Sequence, residues 1–287
     1  MPGESMTAEP LARLRAARGF VFDVDGTLVL TDRANHGYTL LPGALELTGA
    51  LAARGVPFVL FTNGTNRTGR EYARALREVG FPLADDAVLT PAASAAELFT
   101  RRGHQRVMVL GGDGVAGPLR EAGIEVVPPA RGQQADAVLA GWFREFTMET
   151  LEAACDAVWG GAALYSCSES VFFATRDGRA IGTSRAISAM IRSVTGCRLE
   201  VVGKPSRHAL GTAARRLGLR PADLVVVGDD PELETAMAHR GRALAVAVAT
   251  GIGTPSAFAQ LPDGRRPHLV LPGVSDLAGL LLDGPEM

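Results

Sequence analysis

Short apolar runs alternate with helical segments along this chain of 287 residues. Residues 20–22, 56–61 and 224–227 are such runs, and segments with helical patterning lie between them. Several of these segments begin near a proline and end before a glycine, which is typical of helices. Continuous apolar strands between helices are typical of a parallel sheet that is covered on both faces. The sequence therefore predicts an α/β fold with a doubly wound parallel sheet.

The middle of the chain repeats this pattern on a smaller scale. Residues 106–110, 124–127, 137–140 and 164–166 are apolar runs with helical segments around them, and Asp177-Gly178 predicts a hairpin turn. A chain of this length can form two domains, each with its own apolar core. We predict a core formed by residues 1–91 and 199–287, with a second α/β unit, residues 92–198, inserted between them.

Charge and cysteine content exclude several classes of partner. The 29 basic and 31 acidic residues give a net charge of −2, without the basic stripe that nucleic acids or anionic lipids require. No apolar run reaches the length of a membrane span. Cys155, Cys167 and Cys197 lack the spacing of metal ligands and are typical of reduced thiols. We therefore expect a cytoplasmic protein with a small-molecule partner, and neither a nucleic acid nor a membrane partner.

Polar residues follow the apolar runs at the points where the predicted strands end. These residues are Asp23, Asp25, Thr62, Asn63, Lys204, Asp229 and Asp230. In an open parallel sheet the carboxyl ends of the strands form the crevice that binds ligands, so these groups should converge. Neighbouring carboxylates repel each other unless a cation lies between them. Carboxylates with a hydroxyl, an amide and an ammonium suit a phosphoryl group that is held together with Mg²⁺.

Four motifs follow one another along the chain: Asp23-Val24-Asp25-Gly26-Thr27, Thr62-Asn63, Lys204, and Gly228-Asp229-Asp230 with Glu234. In this order they resemble the four motifs of the haloacid dehalogenase (HAD) superfamily. The interval between the first two motifs is too short for a helical cap, whereas the next interval holds the α/β unit of the middle chain. This arrangement resembles the C2-capped p-nitrophenylphosphatase-like group, which includes phosphoglycolate and pyridoxal phosphate phosphatases. The resemblance implies a Rossmann-like core with an inserted α/β cap of the C2 type.

The resemblance also implies a Mg²⁺-dependent phosphatase that hydrolyses a small phosphorylated metabolite through an aspartyl-phosphate intermediate. Asp23 would be the nucleophile, and Asp25 would protonate the leaving alcohol and then activate water. By the same resemblance, Mg²⁺ would be held by Asp23, the Asp25 carbonyl and Asp229. Thr62, Asn63 and Lys204 would bind the phosphate. Asp230 or Glu234 would support the metal site from outside its ligand shell. Relatives with a C2 cap often form dimers through it, so a homodimer is a further expectation.

One cap segment departs from the pattern of the group. Relatives carry a Thr-Asn-x-Asp-like segment near the active site, where this chain has Ser166-Cys167-Ser168-Glu169-Ser170. The candidate cap residues that would contact the substrate are Ser168, Ser170, Arg176 and Arg185. Each arginine also fits a solvated surface charge. The loop of residues 29–41 is longer than is typical of the group, and such a loop can contact the substrate or connect elements in solvent.

Two alternatives to hydrolysis stay open at this point. The altered cap segment fits a non-hydrolytic protein that binds a phosphorylated ligand. A phosphotransferase or mutase would use the same core residues and pass the phosphoryl group to an acceptor other than water. Turnover of p-nitrophenyl phosphate with and without Mg²⁺ separates catalysis from binding.

Overall fold

The computed structural model describes residues 8–31, 37–175 and 178–282, and its larger sheet has six parallel strands. In spatial order these strands are β15 (Leu269–Leu271), β14 (Leu244–Val248), β13 (Leu224–Gly228), β1 (Gly19–Phe22), β4 (Phe58–Phe61) and β5 (Val88–Leu89). β1 pairs with β13 on one side and β4 on the other. The direction of strand order changes at β1, and crevices at such switch points bind ligands in open α/β sheets. Asp23 and Asp25 directly follow this strand.

A second sheet has five parallel strands. Their order is β12 (Leu199–Val201), β9 (Ala163–Ser166), β8 (Ala137–Ala140), β6 (Arg106–Leu110) and β7 (Glu125–Val127). Two antiparallel pairs complete the strands of the described residues: β2 (Val29–Leu30) with β3 (Thr39–Leu40), and β10 (Phe172–Thr175) with β11 (Gly178–Ile181). The predicted α/β class with parallel sheets is confirmed. β12 pairs with β9, so the chain leaves the second sheet after Val201 rather than before residue 199.

Helices cover both sheets. Their bounds are α1 (Ala8–Arg15), α2 (Ala44–Ala53), α3 (Gly69–Glu78), α4 (Pro91–Arg102), α5 (Asp113–Glu121), α6 (Met148–Trp159), α7 (Thr183–Thr195), α8 (Arg207–Leu217), α9 (Ala236–Gly241), α10 (Pro255–Ala259) and α11 (Val274–Leu282). Capping residues, proline and glycine explain where several of these helices begin and end. Thr68 and Glu71 form a capping box at the start of α3, and α4 begins at Pro91 and ends before Gly103, whose φ is 76°.

The apolar core lies on both faces of the larger sheet. Phe20 and Phe22 of β1 pack in a cluster with α2, α3 and α11, whereas Val21 packs in a second cluster with α8 and α9. The second sheet divides in the same way, with Val107 and Val109 on the side of α4 and α5, and Met108 on the side of α6 and α7. Because successive residues of a strand point to opposite faces, β1 is buried on both sides of the larger sheet, as β6 is in the second sheet. Among the described residues, no helix combines the length and apolar character that crossing a membrane requires.

Candidate active site

A buried lysine lies between two carboxylates at the carboxyl edge of the larger sheet. The Lys204 ammonium contacts the Asp23 carboxylate and lies 2.6 Å from Glu234 Oε1. Only 2% of the Lys204 side chain is exposed. Burial alone would lower the pKa of Lys204, but the charges of Asp23 and Glu234 raise it above its usual value. The ammonium therefore stays charged and offsets part of the negative charge around it.

Three buried carboxylates form a cluster that could hold a metal ion. One oxygen from each of Asp23, Asp229 and Glu234 lies within 4.8 Å of the others. Burial, together with the charges of Asp23 and Glu234, raises the pKa of Asp229 well above its usual value. Burial and the nearby Asp23 and Asp230 also raise the pKa of Glu234 to about 8, although Lys204 opposes this shift. Ionised together, the three carboxylates would carry more negative charge than Lys204 balances, so a further cation would favour their ionised form.

The chemistry of this donor set fits Mg²⁺. Among the described residues that line the cavity, five are carboxylates (Asp23, Asp25, Asp229, Asp230 and Glu234) and Lys204 alone is a cation. Mg²⁺ prefers hard oxygen ligands, usually a few carboxylates with substrate oxygens and water completing the shell. Sequence analysis expected Asp230 or Glu234 in an outer role. The structure brings the Glu234 carboxylate into the cluster, whereas Asp230 Oδ1 accepts a hydrogen bond from Glu232 N at 2.8 Å.

Glu234 reaches the cluster through an irregular turn. The sequence of residues 232–239 has the patterning of one helix, but the structure has a π-helical turn, Pro231–Thr235, before α9. Glu234 Oε2 accepts a hydrogen bond from Asp230 N at 3.1 Å, which turns the side chain back toward the sheet. Wide turns of this kind often occur at functional sites, because they change the direction in which a side chain points.

Asp25 has the surroundings of a general acid. Thr31 Oγ1 donates a hydrogen bond to Asp25 Oδ1 at 2.8 Å. Desolvation raises the pKa of Asp25 to about 6, and the charge of Asp23 adds to this shift, while the bond from Thr31 opposes it. A carboxyl group with a pKa near the working pH can both donate and accept a proton. Asp23 and Asp25 thus differ in their surroundings, since Asp23 contacts the Lys204 ammonium.

Hydrogen-bond donors lie beside the nucleophile candidate. Thr62 Oγ1 accepts a hydrogen bond from Gly64 N at 2.9 Å, which leaves its own O–H free to donate. Within the described part of the chain, the backbone N–H groups of Val24, Asp25 and Asn63 have no hydrogen-bond acceptor. Such preorganised donors are suited to phosphoryl oxygens that carry negative charge.

The Asn63 side chain connects the two sheets. It donates to Ser168 Oγ and to the Lys204 carbonyl, both at 3.1 Å, and accepts from Lys204 N at 2.9 Å. Sequence analysis assigned Asn63 to phosphate binding. Its side-chain amide is bonded to Ser168 and to the backbone of Lys204, so its backbone N–H is the group that is available to a phosphate oxygen. Thr65 adds a second connection, because its Oγ1 accepts a hydrogen bond from Trp142 N at 2.9 Å.

The candidate cap residues lie in different places. Ser168 and Ser170 line the cavity, and Ser168 Oγ donates to Ser170 Oγ at 2.9 Å. Arg185 lines a neighbouring groove, where it donates to the Glu169 carbonyl at 2.8 Å and lies 3.5 Å from the Glu169 carboxylate. Arg176 lies outside the described residues, as do residues 32–36 of the long loop.

Sequence analysis missed the loop that follows β14. Ile252 N donates to Asp229 Oδ2 at 2.6 Å, and Thr250 Oγ1 donates to the Gly26 carbonyl at 2.6 Å. A Cβ atom on Gly251 would overlap the Asp229 carboxylate, so glycine is required for this approach. The signal was present, since Thr250-Gly251-Ile252-Gly253 follows an apolar run as the other site loops do.

We expect Gly251→Ala to lower the phosphatase activity that the resemblance implies about tenfold or more, because the added methyl group must displace Asp229 or its loop. The measurement is kcat/KM together with the concentration of Mg²⁺ that gives half-maximal activity, which should rise. Gly264→Ala is a matched control, since a Cβ there meets no atom within 4 Å. Equal Mg²⁺ requirements in the two variants would contradict a role for this loop in holding Asp229.

The chain is similar to known phosphatases over most of its length. A haloacid dehalogenase-like hydrolase model matches residues 20–125, and a HAD-hydrolase-like model matches residues 201–277. Mouse chronophin is 28% identical over 277 residues, which cover 92% of this chain and 93% of that protein. The 5′-nucleotidase YutF of Bacillus subtilis is 28% identical over 218 residues, which cover 76% of this chain and 81% of that protein.

A solved phosphatase structure is similar to this chain over both of its sheets. The 4-nitrophenylphosphatase of Thermotoga maritima superimposes with a TM-score of 0.83 at 25% identity, and the match covers 94% of this chain and 99% of that one. The matched regions contain the strand-end residues of both halves of the larger sheet, with Asp23 and Asp25 in the first model and Lys204 and Asp229 in the second. The chain therefore belongs to the haloacid dehalogenase superfamily, in its p-nitrophenylphosphatase-like group, and is a phosphoric monoester hydrolase.

Proposed function

We propose that this hydrolase uses Asp23 as a nucleophile, Asp25 as an acid and base, and Mg²⁺ as a cofactor to release phosphate from a small metabolite. The observation that carries this proposal is the single cavity in which Asp23 meets the Lys204 ammonium, two further buried carboxylates and unpaired backbone donors. We also propose that the second sheet with its helices is the cap that selects the substrate. The cap contributes Trp142, Ser168, Ser170 and Phe172 to the walls of the cavity.

In the first step, an Asp23 carboxylate oxygen attacks phosphorus, and the bond from phosphorus to the leaving oxygen breaks. Asp25, in its protonated form, gives its proton to the leaving alkoxide, which departs as an alcohol. A pKa of about 6 keeps part of the Asp25 population protonated near neutral pH. The covalent intermediate divides a difficult displacement into two easier ones.

In the second step, water attacks phosphorus of the aspartyl phosphate, and Asp25 accepts a proton from that water. Phosphate leaves and the Asp23 carboxylate is restored, so both catalytic residues return to their starting states. Lys204, the Thr62 hydroxyl and the backbone N–H groups of Val24, Asp25 and Asn63 would hold the oxygens of the phosphoryl group in both steps.

Magnesium dependence is general among phosphatases of this superfamily. Asp23, Asp229 and Glu234 would hold the ion here, with the Asp25 carbonyl as the further ligand that the resemblance implies. When bound, Mg²⁺ neutralises negative charge on the carboxylates and on the phosphoryl oxygens.

Hydrolysis of p-nitrophenyl phosphate with and without Mg²⁺ tests this proposal. We expect turnover that depends on Mg²⁺, followed by selectivity across a panel of phosphosugars, phosphoglycolate, pyridoxal phosphate and nucleotides. One relative is a 5′-nucleotidase by name, which is a reason to include nucleotides. Binding without turnover across the whole panel would favour a non-hydrolytic protein. Transfer of phosphate to an added alcohol in preference to water would instead favour a phosphotransferase.

Ser168→Ala is expected to lower kcat/KM about fivefold, because it removes the hydrogen bond that Asn63 makes to the cap. Asn63→Ala removes that bond and both bonds to the Lys204 backbone, so it should lower kcat/KM by a further factor of about ten. Steady-state kinetics measure both effects, and Ser193→Ala on the outer part of the cap is a control. Wild-type kinetics in Asn63→Ala would show that this connection does not position the site.

Two expectations about the whole protein stay predictions. Cys155, Cys167 and Cys197 are free thiols, which supports our proposal of a reducing compartment such as the cytoplasm. The cap exposes two apolar residues, Ile181 (67% accessible) and Val194 (53% accessible), and we propose them as part of a homodimer interface. Light scattering after size-exclusion chromatography measures the oligomeric state directly.

A further inference from the structure

A buried threonine from the long loop lies against Asp25. The chain turns back after Val24, because the backbone N–H groups of Leu28 and Val29 both donate to the Val24 carbonyl. β2 then pairs with β3, and Thr31 directly follows β2. Only 2% of Thr31 is exposed, and its Oγ1 donates to Asp25 Oδ1 at 2.8 Å. The turn and the strand pair thus bring a hydroxyl group onto the Asp25 carboxyl group.

The two oxygens of the Asp25 carboxyl group differ because of this bond. Oδ1 accepts the hydrogen of Thr31, whereas Oδ2 has no hydrogen-bond partner among the described residues. The described buried atoms without a partner do not include Oδ2, so this oxygen is open to the cavity that Asp25 and Thr31 both line. A protonated carboxyl group accepts a hydrogen bond most readily at the oxygen that carries no proton. A proton on Asp25 is therefore favoured on Oδ2, the oxygen that a substrate can reach.

Asp25 has fewer contacts that hold it than Asp23 has. The Asp23 carboxylate contacts the Lys204 ammonium and accepts a hydrogen bond from Thr27 Oγ1 at 3.4 Å. Within the described part of the chain, Thr31 alone donates a side-chain hydrogen bond to Asp25. A carboxyl group without that bond can rotate, whereas proton transfer needs one orientation within hydrogen-bond reach of the leaving oxygen.

From these contacts we infer that Thr31 is a positioning residue for the acid step, whose hydroxyl holds Asp25 so that Oδ2 presents the proton to the leaving oxygen. This inference rests on the proposed function, in which Asp25 protonates the leaving alkoxide. The proton passes from Oδ2 to the leaving oxygen as the bond from that oxygen to phosphorus breaks. In the second step, the attacking water returns a proton to Oδ2. Thr31 neither gains nor loses a proton in either step.

Three phosphate esters of similar size, whose leaving groups differ in their need for a proton, test this inference. p-Nitrophenolate is a weak base that departs without a proton, phenolate is a stronger base, and the alkoxide of benzyl alcohol is the strongest of the three. The measurement is kcat/KM, which covers the steps through departure of the leaving group. The ratio of kcat/KM for benzyl phosphate to that for p-nitrophenyl phosphate reports how well the acid is placed.

Substitutions of Thr31 separate its hydroxyl from its bulk. Thr31→Val replaces the hydroxyl with a methyl group of nearly the same size and should lower the ratio about tenfold or more, because a general acid must be well oriented to contribute. Thr31→Ala lacks the same donor and should give the same result. Thr31→Ser keeps the donor, so its ratio should stay within about twofold of the wild type. Thr48→Val is the matched control, since the buried Thr48 hydroxyl bonds to the Ala44 carbonyl within α2 at 2.8 Å.

An unchanged ratio in Thr31→Val and Thr31→Ala would overturn the inference, even with all three esters slowed equally, because such a loss reports only a structural role. A ratio that falls as far in Thr31→Ser would overturn it as well, since the donor is present there. Failure of the proposed function has a different signature: no ester is turned over by the wild type, or Asp25→Asn keeps the wild-type ratio. Either result also removes the acid that Thr31 would hold. The melting temperature of each variant shows whether it is folded.

Discussion

Asp23→Asn is expected to abolish turnover, with a loss in kcat of about 10⁴-fold or more, because a carboxamide cannot replace the carboxylate nucleophile. Asparagine has nearly the same size and can keep a contact with the buried Lys204 ammonium. The change also removes one of three crowded carboxylates, so the fold should be retained. The measurement is kcat with p-nitrophenyl phosphate, together with the melting temperature.

A matched substitution distinguishes loss of the nucleophile from loss of charge. Asp263→Asn makes the same chemical change at a side chain that is 93% exposed and pairs with Arg266. Exposed ion pairs contribute little to stability, so this variant should keep wild-type kinetics. Substantial hydrolysis by a folded Asp23→Asn protein would show that another group attacks phosphorus.

Removal of divalent metal should abolish activity, and Mg²⁺ should restore it. In its ionised form the buried cluster of Asp23, Asp229 and Glu234 would carry more negative charge than Lys204 offsets, so binding of Mg²⁺ should also stabilise the fold. A ligand at 100 times its dissociation constant stabilises the native state by about 2.7 kcal/mol. For a protein of this size that corresponds to a rise in melting temperature of roughly a few degrees. Thermal unfolding with EDTA and then with excess Mg²⁺ measures the effect.

Asp229→Asn identifies where the stabilising ion binds. Asp229 is 2% exposed, and burial with two neighbouring negative charges raises its pKa well above the usual value. The asparagine variant should lose the Mg²⁺-dependent rise in melting temperature while remaining folded without the metal. A wild-type rise in Asp229→Asn, or full wild-type activity in EDTA, would rule out this cluster as the metal site.

The convergence of the strand-end residues was predictable because the sheet is parallel. Asp23 follows β1, Thr62 follows β4 and Asp229 follows β13, and adjacent parallel strands end at the same edge of their sheet. Lys204 joins them from the segment after β12, which returns the chain from the second sheet. The position of these residues in one cavity therefore follows from apolar periodicity and from the identity of the residue after each strand. Their catalytic roles stay predictions until they are tested by substitution.

Other features depend on contacts that no local pattern encodes. The Asn63 side chain bonds to Ser168 and to the backbone of Lys204, both more than 100 positions away along the chain. Glu234 enters the carboxylate cluster because a π-helical turn replaces the first part of the predicted helix. Sequence periodicity alone does not distinguish a wide turn from an α-helical one. The same limit applies to the point at which the chain leaves the second sheet. The short strand β12 (Leu199–Val201) has a composition that fits a strand of the larger sheet as well as one of the second sheet.

Hydrolysis is expected to pass through an acyl phosphate on Asp23. Acid-quenched enzyme, taken during turnover of p-nitrophenyl phosphate and analysed by peptide mass spectrometry, measures this intermediate directly. The proposed mechanism predicts one phosphoryl group on Asp23, in the tryptic peptide of residues 19–33. It predicts no such group in the Asp23→Asn protein. A phosphoryl group on a different residue, or rapid wild-type turnover with no phosphorylated enzyme at any quench time, would contradict it.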